Sequence, residues 1–268
     1  ALRRQNFMAL AAIADSDAVV APTLFQRDTF PSHLRGRFHV IHEGIDGEQL
    51  QPHANRHVRI NPQLMLRKGD PVVTYVSRSL EPLRGFRSLM RALPELQAQH
   101  PTVQVLLVGD AKHPSYNRAS AHPQGYWGEL TALLGHRLDL SRVHCLGRLP
   151  YDELLAVLQI SAVHVHFSYP YALSWSLLEA MACGAVVVGS ANPPVDEVIQ
   201  HGSNGLLVPF AAHDRLAQTL LDVLADPASH APLGAAARNT VLQRYSLQSA
   251  VAGYEQLVNS LQLLKPAA

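Results

Sequence analysis

A chain of 268 residues, 47% hydrophobic and 16% charged, has room for one large domain, or for one domain with part of another, around sizeable cores. Its formal net charge of +1 argues against nucleic-acid binding through bulk electrostatics, so any anion site must be local and built from a few residues. Two cysteines, Cys145 and Cys183, make no disulfide framework; they fit a reducing compartment and read as small buried hydrophobes.

The opening "ALRRQNFMALAAIADSDAVVAP" places Arg3 and Arg4 before an apolar stretch, as signal peptides do. Asp15, Ser16 and Asp17 interrupt that stretch, and a strand follows at 18–22, so the signal reading is rejected. No apolar run reaches the roughly 18 residues that span a bilayer. The chain does not begin with methionine and is expected to be a fragment or a processed product. A second strand at 37–42 closes a section with only about two strands and two helices. That section is expected to be the tail of a domain whose body lies elsewhere. The polar, turn-rich "HEGIDGEQLQPHANRHVRINPQ" then reads as a linker. Its basic part, 56–69, reads as solvated, with contact to anionic lipid as the alternative.

From residue 71 the pattern is regular. Apolar runs of strand length at 71–77, 103–110, 142–147, 162–168, 185–190 and 205–210 alternate with helix-period segments. Near-continuous apolar strands separated by helices predict an α/β doubly wound parallel sheet, covered on both faces. Ligands bind such sheets beyond the carboxyl ends of the strands. One long irregular stretch, "AKHPSYNRASAHPQG", follows a strand end directly and reads as functional or mobile.

Three segments carry candidate chemistry. In "YPYALSWSLLEAMACG", Ser174 is a plausible N-cap and Gly184 a C′ glycine. The N–H groups of Trp175, Ser176 and Leu177 would then point outward as an anion site. Glu179 lies about one and a half turns inside, among Leu177, Leu178 and Met181. A buried carboxylate needs hydrogen-bond donors, and a ribose diol would satisfy both oxygens; water or a structural basic partner would also do. In "YVSRSLEPLRGF", Arg78 and Arg84 follow a strand end with Gly85 opening a helix. Two planar guanidinium forks there could grip a diphosphate, though paired surface arginines are often simply solvated. "SANPPVDEVIQHGSNGLLVP" reads as scaffold, with Pro193 and Pro194 at a helix entry and Glu197 in its first turn. His164 and His166 share one face of a strand, but spacing places no third ligand, so a metal site is not expected. No GxSxG, P-loop or zinc-type CxxC pair is present.

"SRSLEPLRGF", "VLLVGD", "RVHCLGRLPYDELLAVLQISAV" and "LSWSLLEAMACGAVVVGSANPPVDEVIQHGSNGLLV" together resemble the retaining nucleotide-sugar glycosyltransferases of family 4, with the GT-B fold. "VIHEGID" resembles the segment through which such enzymes pass from the N-terminal to the C-terminal Rossmann-like domain. The resemblance implies that residues 1–44 are a remnant of the acceptor-side domain and 45–268 the nucleotide-sugar-binding domain. It implies that Arg78 and Arg84 neutralise the donor diphosphate, Arg84 standing where a Lys is usual. It also implies that Glu179, the second acid of an E-x7-E element, binds ribose. The backbone of Ser174, Trp175, Ser176 and Leu177 would face the distal phosphate, and main chain at Arg148 and Leu149 would read the base. Where the first acid should stand, this chain has Tyr171, as in a related subgroup with "YP-aromatic-x-LSWSLLEAMA"; its hydroxyl would serve as a neutral substitute.

The implied reaction is retaining glycosyl transfer from a nucleoside diphosphate sugar to a glycan or lipid-linked acceptor, with no cofactor and no metal. The missing N-terminal domain would be a partner in catalysis, and this chain alone would be inactive or weakly active. The resemblance also implies polysaccharide assembly in the cytoplasm, peripheral to the membrane at most. The competing readings are a GT-B nucleotide-sugar epimerase, a sugar-phosphate synthase, or a non-catalytic partner-binding module.

Overall fold

In the computed structural model, which describes residues 2–264, the chain begins with a helix, α1 (Leu2–Asp15). Two short strands follow, β1 (Val19–Ala21) and β2 (Phe38–Val40), separated by the one-turn helices α2 (Leu24–Asp28) and α3 (Ser32–Arg35). β1 and β2 pair parallel.

The segment read as a linker is partly ordered. It contains an antiparallel hairpin, β3 (His57–Asn61) and β4 (Leu64–Arg67), with Asn61 closing the turn by accepting the N–H groups of Gln63 and Leu64. The basic residues are not a free solvated run: Arg56 donates to Gln159, and Lys68 Nζ donates to the Ser161 carbonyl at 3.0 Å. Val58 and Ile60 pack inward between outward-facing polar residues, the alternation of a half-buried strand.

The body is one six-stranded parallel sheet. Its strands are β5 (Val72–Ser79), β6 (Gln104–Asp110), β7 (Val143–Gly147), β8 (Val163–His166), β9 (Val186–Ser190) and β10 (Leu206–Val208). They lie in the order β10-β9-β8-β5-β6-β7. Renumbered from β5, this is the order 3-2-1-4-5-6, whose direction of winding reverses between β5 and β8. The crossovers are α4 (Phe86–Gln99), α5 (Gly125–Leu134), α6 (Tyr151–Ile160), α7 (Trp175–Ala182) and α8 (Val195–Val198). Three further helices, α9 (His213–Ala225), α10 (Pro227–Arg244) and α11 (Leu247–Leu264), follow the last strand.

Two cores lie on the two faces of the sheet. Val73 and Tyr75 of β5 join residues of α4, α5 and α9, whereas Val72 and Val76 join residues of α6, α7 and α10. This is the period-2 alternation of one strand feeding two apolar layers. Between them Thr74 bridges two buried polar groups, its Oγ1 2.7 Å from Ser161 Oγ and 2.9 Å from His164 Nδ1. Both cysteines are free, and burial pushes the Cys183 thiol up to about 12. Among the described residues no helix is long and apolar enough to cross a membrane, and no group of three potential metal ligands comes together.

Candidate functional site

The winding reversal leaves a crevice beyond the carboxyl ends of β5 and β8, as topology requires. A cavity of about 510 Å³ occupies it. Its walls include Ser77 and Arg78 from β5, Arg84 from the turn that follows, Tyr116 from the loop after β6, His166 and Phe167 at the end of β8, and the run Tyr171–Ser176 leading into α7. Six of the residues picked from sequence therefore meet in one place: Arg78, Arg84, Tyr171, Ser174, Trp175 and Ser176.

Arg84 is placed by several independent contacts. After β5 the chain forms a single 3-10 turn, Pro82–Arg84, ended by Gly85 at φ +75°, which caps α4. A side chain at Gly85 would meet Phe167 Cβ at 2.1 Å, so only glycine lets this turn lie against β8. The buried Tyr75 hydroxyl donates to the Arg84 carbonyl at 2.7 Å, and the Tyr169 N–H donates to the Leu83 carbonyl at 2.8 Å. The Arg84 guanidinium lies 5.0 Å from the Tyr116 ring centroid, and its buried Nε has no acceptor. Neither Arg84 nor Arg78 forms an ion pair among the described residues, so both charges remain available to the cavity. Arg78 belongs to the strand itself, near its end, rather than to the loop after it.

Ser174 occupies the N-cap of α7, but its hydroxyl is not the cap. It pairs instead with Ser176 Oγ at 2.9 Å, which leaves the first-turn amides of α7 uncapped at the cavity wall. The Leu177 side chain is fully buried in the core, so only its N–H is in question. Gly184 follows the helix at φ +72°, as its C′ role demands.

Glu179 sits deeper, 7% exposed and outside the cavity lining. Its Oε1 accepts the Tyr151 hydroxyl at 3.1 Å, and among the described residues no basic side chain pairs with it. Burial raises its pKa above the ordinary carboxylate range, with the Tyr151 hydrogen bond acting in the opposite direction. Arg148 and Leu149 lie apart from the cavity. Arg148 reaches Asp110 at 3.4 Å on an exposed edge, while Leu149 helps line a separate depression beside the β3–β4 hairpin.

Three contributors were not read from sequence. His166 ends β8 and lines the cavity in neutral form; burial, then the Arg84 charge, pushes it down to about 3. Its place at a strand end was the available signal. Tyr116 belongs to the long loop after β6, whose position had marked it as functional or mobile. Glu81, fully buried between the two arginines in sequence, accepts the N–H groups of Ser115, Tyr116 and Asn117 on Oε2, at 3.1, 3.0 and 3.0 Å. The loop is thereby fastened to the Arg84 turn.

The family model described as glycosyl transferases group 1 matches residues 59–240. The chain belongs to that family. A second model, the glycosyl transferase family 4 group, matches residues 1–50. This group 1 glycosyltransferase chain is 30% identical over 203 residues to a GDP-mannose-dependent monoacylated alpha-(1-6)-phosphatidylinositol monomannoside mannosyltransferase of Corynebacterium glutamicum, covering 72% of this chain and 47% of that one. It is 26% identical to the GDP-mannose-dependent alpha-(1-6)-phosphatidylinositol monomannoside mannosyltransferase of Mycolicibacterium smegmatis, covering 91% and 63%. The chain thus spans about half to under two-thirds of the length of these relatives.

Solved structures share the fold. Sucrose-phosphate synthase from Thermosynechococcus elongatus superposes with TM-score 0.78 at 24% identity, over 98% of this chain and 62% of that one. Anabaena Alr3699/HepE in complex with UDP and glucose superposes with TM-score 0.73 at 24% identity, over 94% and 65%. Both likenesses are of GT-B architecture.

Proposed function

We propose that this chain carries the nucleotide-sugar-binding half of a retaining glycosyltransferase, which moves a hexosyl group from a nucleoside diphosphate sugar to a glycan or lipid-linked acceptor. The observation that carries the reading is the convergence of two unpaired guanidinium groups, Arg78 and Arg84, with the uncapped start of α7 around one cavity. Charge-assisted donors and helix amides that converge in this way suit a diphosphate. As the glycosidic bond breaks, negative charge grows on the leaving diphosphate, and these fixed donors stabilise it without reorganising. His166, neutral at ordinary pH, adds a polar ring without competing as a cation.

Glu179 accepts the ribose hydroxyls, its Oε2 having no hydrogen-bond donor among the described residues. Main chain at Arg148 and Leu149 reads the base beyond it. No carboxylate is among the residues lining the cavity, which supports departure and attack on the same face of the sugar over a covalent glycosyl-enzyme. Arginines and amides do the work a divalent metal would otherwise do, so neither a metal nor a cofactor is invoked.

Residues 1–44 belong to the acceptor-side domain and 45–268 to the donor side. The separate family match over 1–50 and the separate parallel pair β1–β2 support that division. The relatives named for phosphatidylinositol mannosides support a lipid-linked glycan as acceptor. Its use at the cytoplasmic face of a membrane, in polysaccharide assembly, is part of the same proposal. Titration calorimetry with UDP, GDP and ADP on this chain and on Arg84→Ala tests the core of the proposal. One nucleotide is expected to bind, and to bind at least tenfold more weakly to the variant, since a charge-assisted hydrogen bond is worth about 1.5–3 kcal/mol. A folded sample that binds none of the three overturns it.

A further inference from the structure

A second cavity, of about 470 Å³, lies at the opposite end of the sheet, where β5, β8 and β9 begin, and shares no lining residue with the first. The turn 68–71 that leads into β5, His100 at the end of α4 and the corner between α9 and α10 enclose it. Val186, Val223 and Leu224, all buried, give it an apolar wall. Two polar groups stand against that wall. Lys68 Nζ is fixed by donating to the carbonyl of Ser161, the C-cap of α6, at 3.0 Å. An ammonium has three hydrogens and this bond uses one. Lys68 has no ion pair among the described residues. The His100 backbone is held on both sides, its N–H by the Leu96 carbonyl and its carbonyl by Arg142. Its buried Nδ1 nevertheless has no hydrogen-bond partner among the described residues, a state that calls for one. Asp70, the one carboxylate among the lining residues, turns its Oδ2 to the Arg67 N–H at 2.7 Å.

We infer that this cavity is a second ligand site, for a small amphipathic carboxylate whose acyl or aryl chain lies against Val186, Val223 and Leu224 and whose anionic head meets Lys68 and His100. Apolar walls with a few convergent polar groups, at this volume, are the usual form of a small-molecule site. The charge count selects a monoanion. One ammonium and one imidazole line the cavity, with no arginine, where a phosphate ester would call for more. The start of α10 offers an anion nothing, because Asp226 already caps it by accepting the Ser229 N–H at 3.1 Å. The head group is therefore drawn to Lys68. An uncharged apolar ligand would leave the free Lys68 hydrogens and His100 Nδ1 unpaired, which costs binding energy. The site is independent of the donor reading, since the two cavities lie at opposite ends of β5 and β8.

Octanoate, 1-octanol and acetate serve as probes, titrated into the wild-type chain by calorimetry and followed at the backbone amides by NMR. Octanoate is expected to bind, with shifts concentrated at Lys68–Asp70, at His100 and at 223–231. Its affinity should exceed that of 1-octanol, which has the chain without the charge, by roughly tenfold or more, and that of acetate by a larger factor. Lys68→Met keeps the stem and removes the ammonium; it is expected to weaken octanoate about tenfold and to leave 1-octanol unchanged. Ala231→Trp fills the cavity from an exposed position of α10 and serves where Lys68→Met does not fold. It should abolish octanoate binding with little change in melting temperature. Equal affinity for octanoate and 1-octanol would mean an apolar surface without anion recognition and overturns the inference. Shifts centred on Arg78 and Arg84, or displacement of octanoate by UDP or GDP, would put the probe in the first cavity and overturn it equally. Absence of octanoate binding also overturns it, while nucleoside diphosphate binding, and the donor site with it, would stand untouched.

Discussion

The Tyr151 hydroxyl stands 3.1 Å from Glu179 Oε1, and it is the only side-chain donor to that carboxylate among the described residues. A carboxylate so enclosed pays a desolvation cost that one phenol does not offset, and its pKa is raised accordingly. Because the folded pKa lies above the unfolded one, folding favours the protonated form, and ionisation costs stability at neutral pH. Glu179→Gln is therefore expected to raise the melting temperature near pH 7 while weakening nucleoside diphosphate binding about tenfold, an order set by one charge-assisted hydrogen bond. In the wild type, affinity should fall on acidification through that raised pKa, starting above the usual glutamate range. The variant should lose this limb. Calorimetry across pH 4.5–7.5 and thermal unfolding at pH 7 check both halves.

Gly85 permits the Arg84 turn to lie against Phe167, with a positive φ and no room for a Cβ. Gly85→Ala combines left-handed strain with a backbone-to-side-chain clash, two costs that do not relax together. It is expected to destabilise the chain by roughly 2 kcal/mol or more in urea unfolding. The same shift moves Arg84, so diphosphate affinity should fall even at temperatures where the variant remains folded.

The body of the sheet was legible because its strands are buried on both faces, so that stretches such as "VLLV" in β6 and "VVV" in β9 read as apolar runs. The two ends of α7 were legible from Ser174 and Gly184, whose conformations are local properties of the chain. The β3–β4 hairpin was not, although "HVRIN" alternates as a strand should, because its charges outweighed the two inward residues Val58 and Ile60. Glu81 and Tyr116 were missed for a different reason. Their relationship spans 35 residues and joins a carboxylate to backbone amides, which leave no mark in side-chain identity. Grouping Arg148 and Leu149 with Arg78 came from resemblance alone, and the two lie outside the cavity that the other residues share.

His164 and His166 lie with rings 6.5 Å apart and nearly parallel, and both are pushed from 6.5 to about 3. Burial is the main cause for each; the second is the neighbouring His166 for His164 and the Arg84 charge for His166. With folded values depressed, the unfolded chain takes up protons first as pH falls below about 6.5. Stability should therefore drop between pH 6.5 and about 3, by on the order of 1.4 kcal/mol per pH unit for each ring. Urea unfolding at pH 7.0, 6.0 and 5.0 reads the slope directly. A His164→Asn/His166→Asn double variant should show a much flatter profile over that range, whatever its stability at pH 7.

Glu197 connects the sheet's last crossover to the opening section of the chain. Its two carboxylate oxygens accept the N–H groups of Leu24 and Phe25, at 2.9 and 3.0 Å, across more than 170 residues. These are first-turn amides of α2, where Thr23 already accepts the Gln26 N–H, so the helix start is satisfied only with Glu197 in place. Negative charge at a helix start adds to the hydrogen bonds, though in so short a helix the dipole contribution is small. Glu197→Ala leaves two amides to water and removes one of the links between the two sections. The expected cost is about 1–3 kcal/mol for the charged hydrogen bonds, concentrated at the contact. Hydrogen exchange at Leu24 and Phe25 should accelerate strongly, while amides of β5 and β6 in the sheet centre keep their protection. Acceleration spread evenly over both would mean that Glu197 supports the sheet rather than the junction.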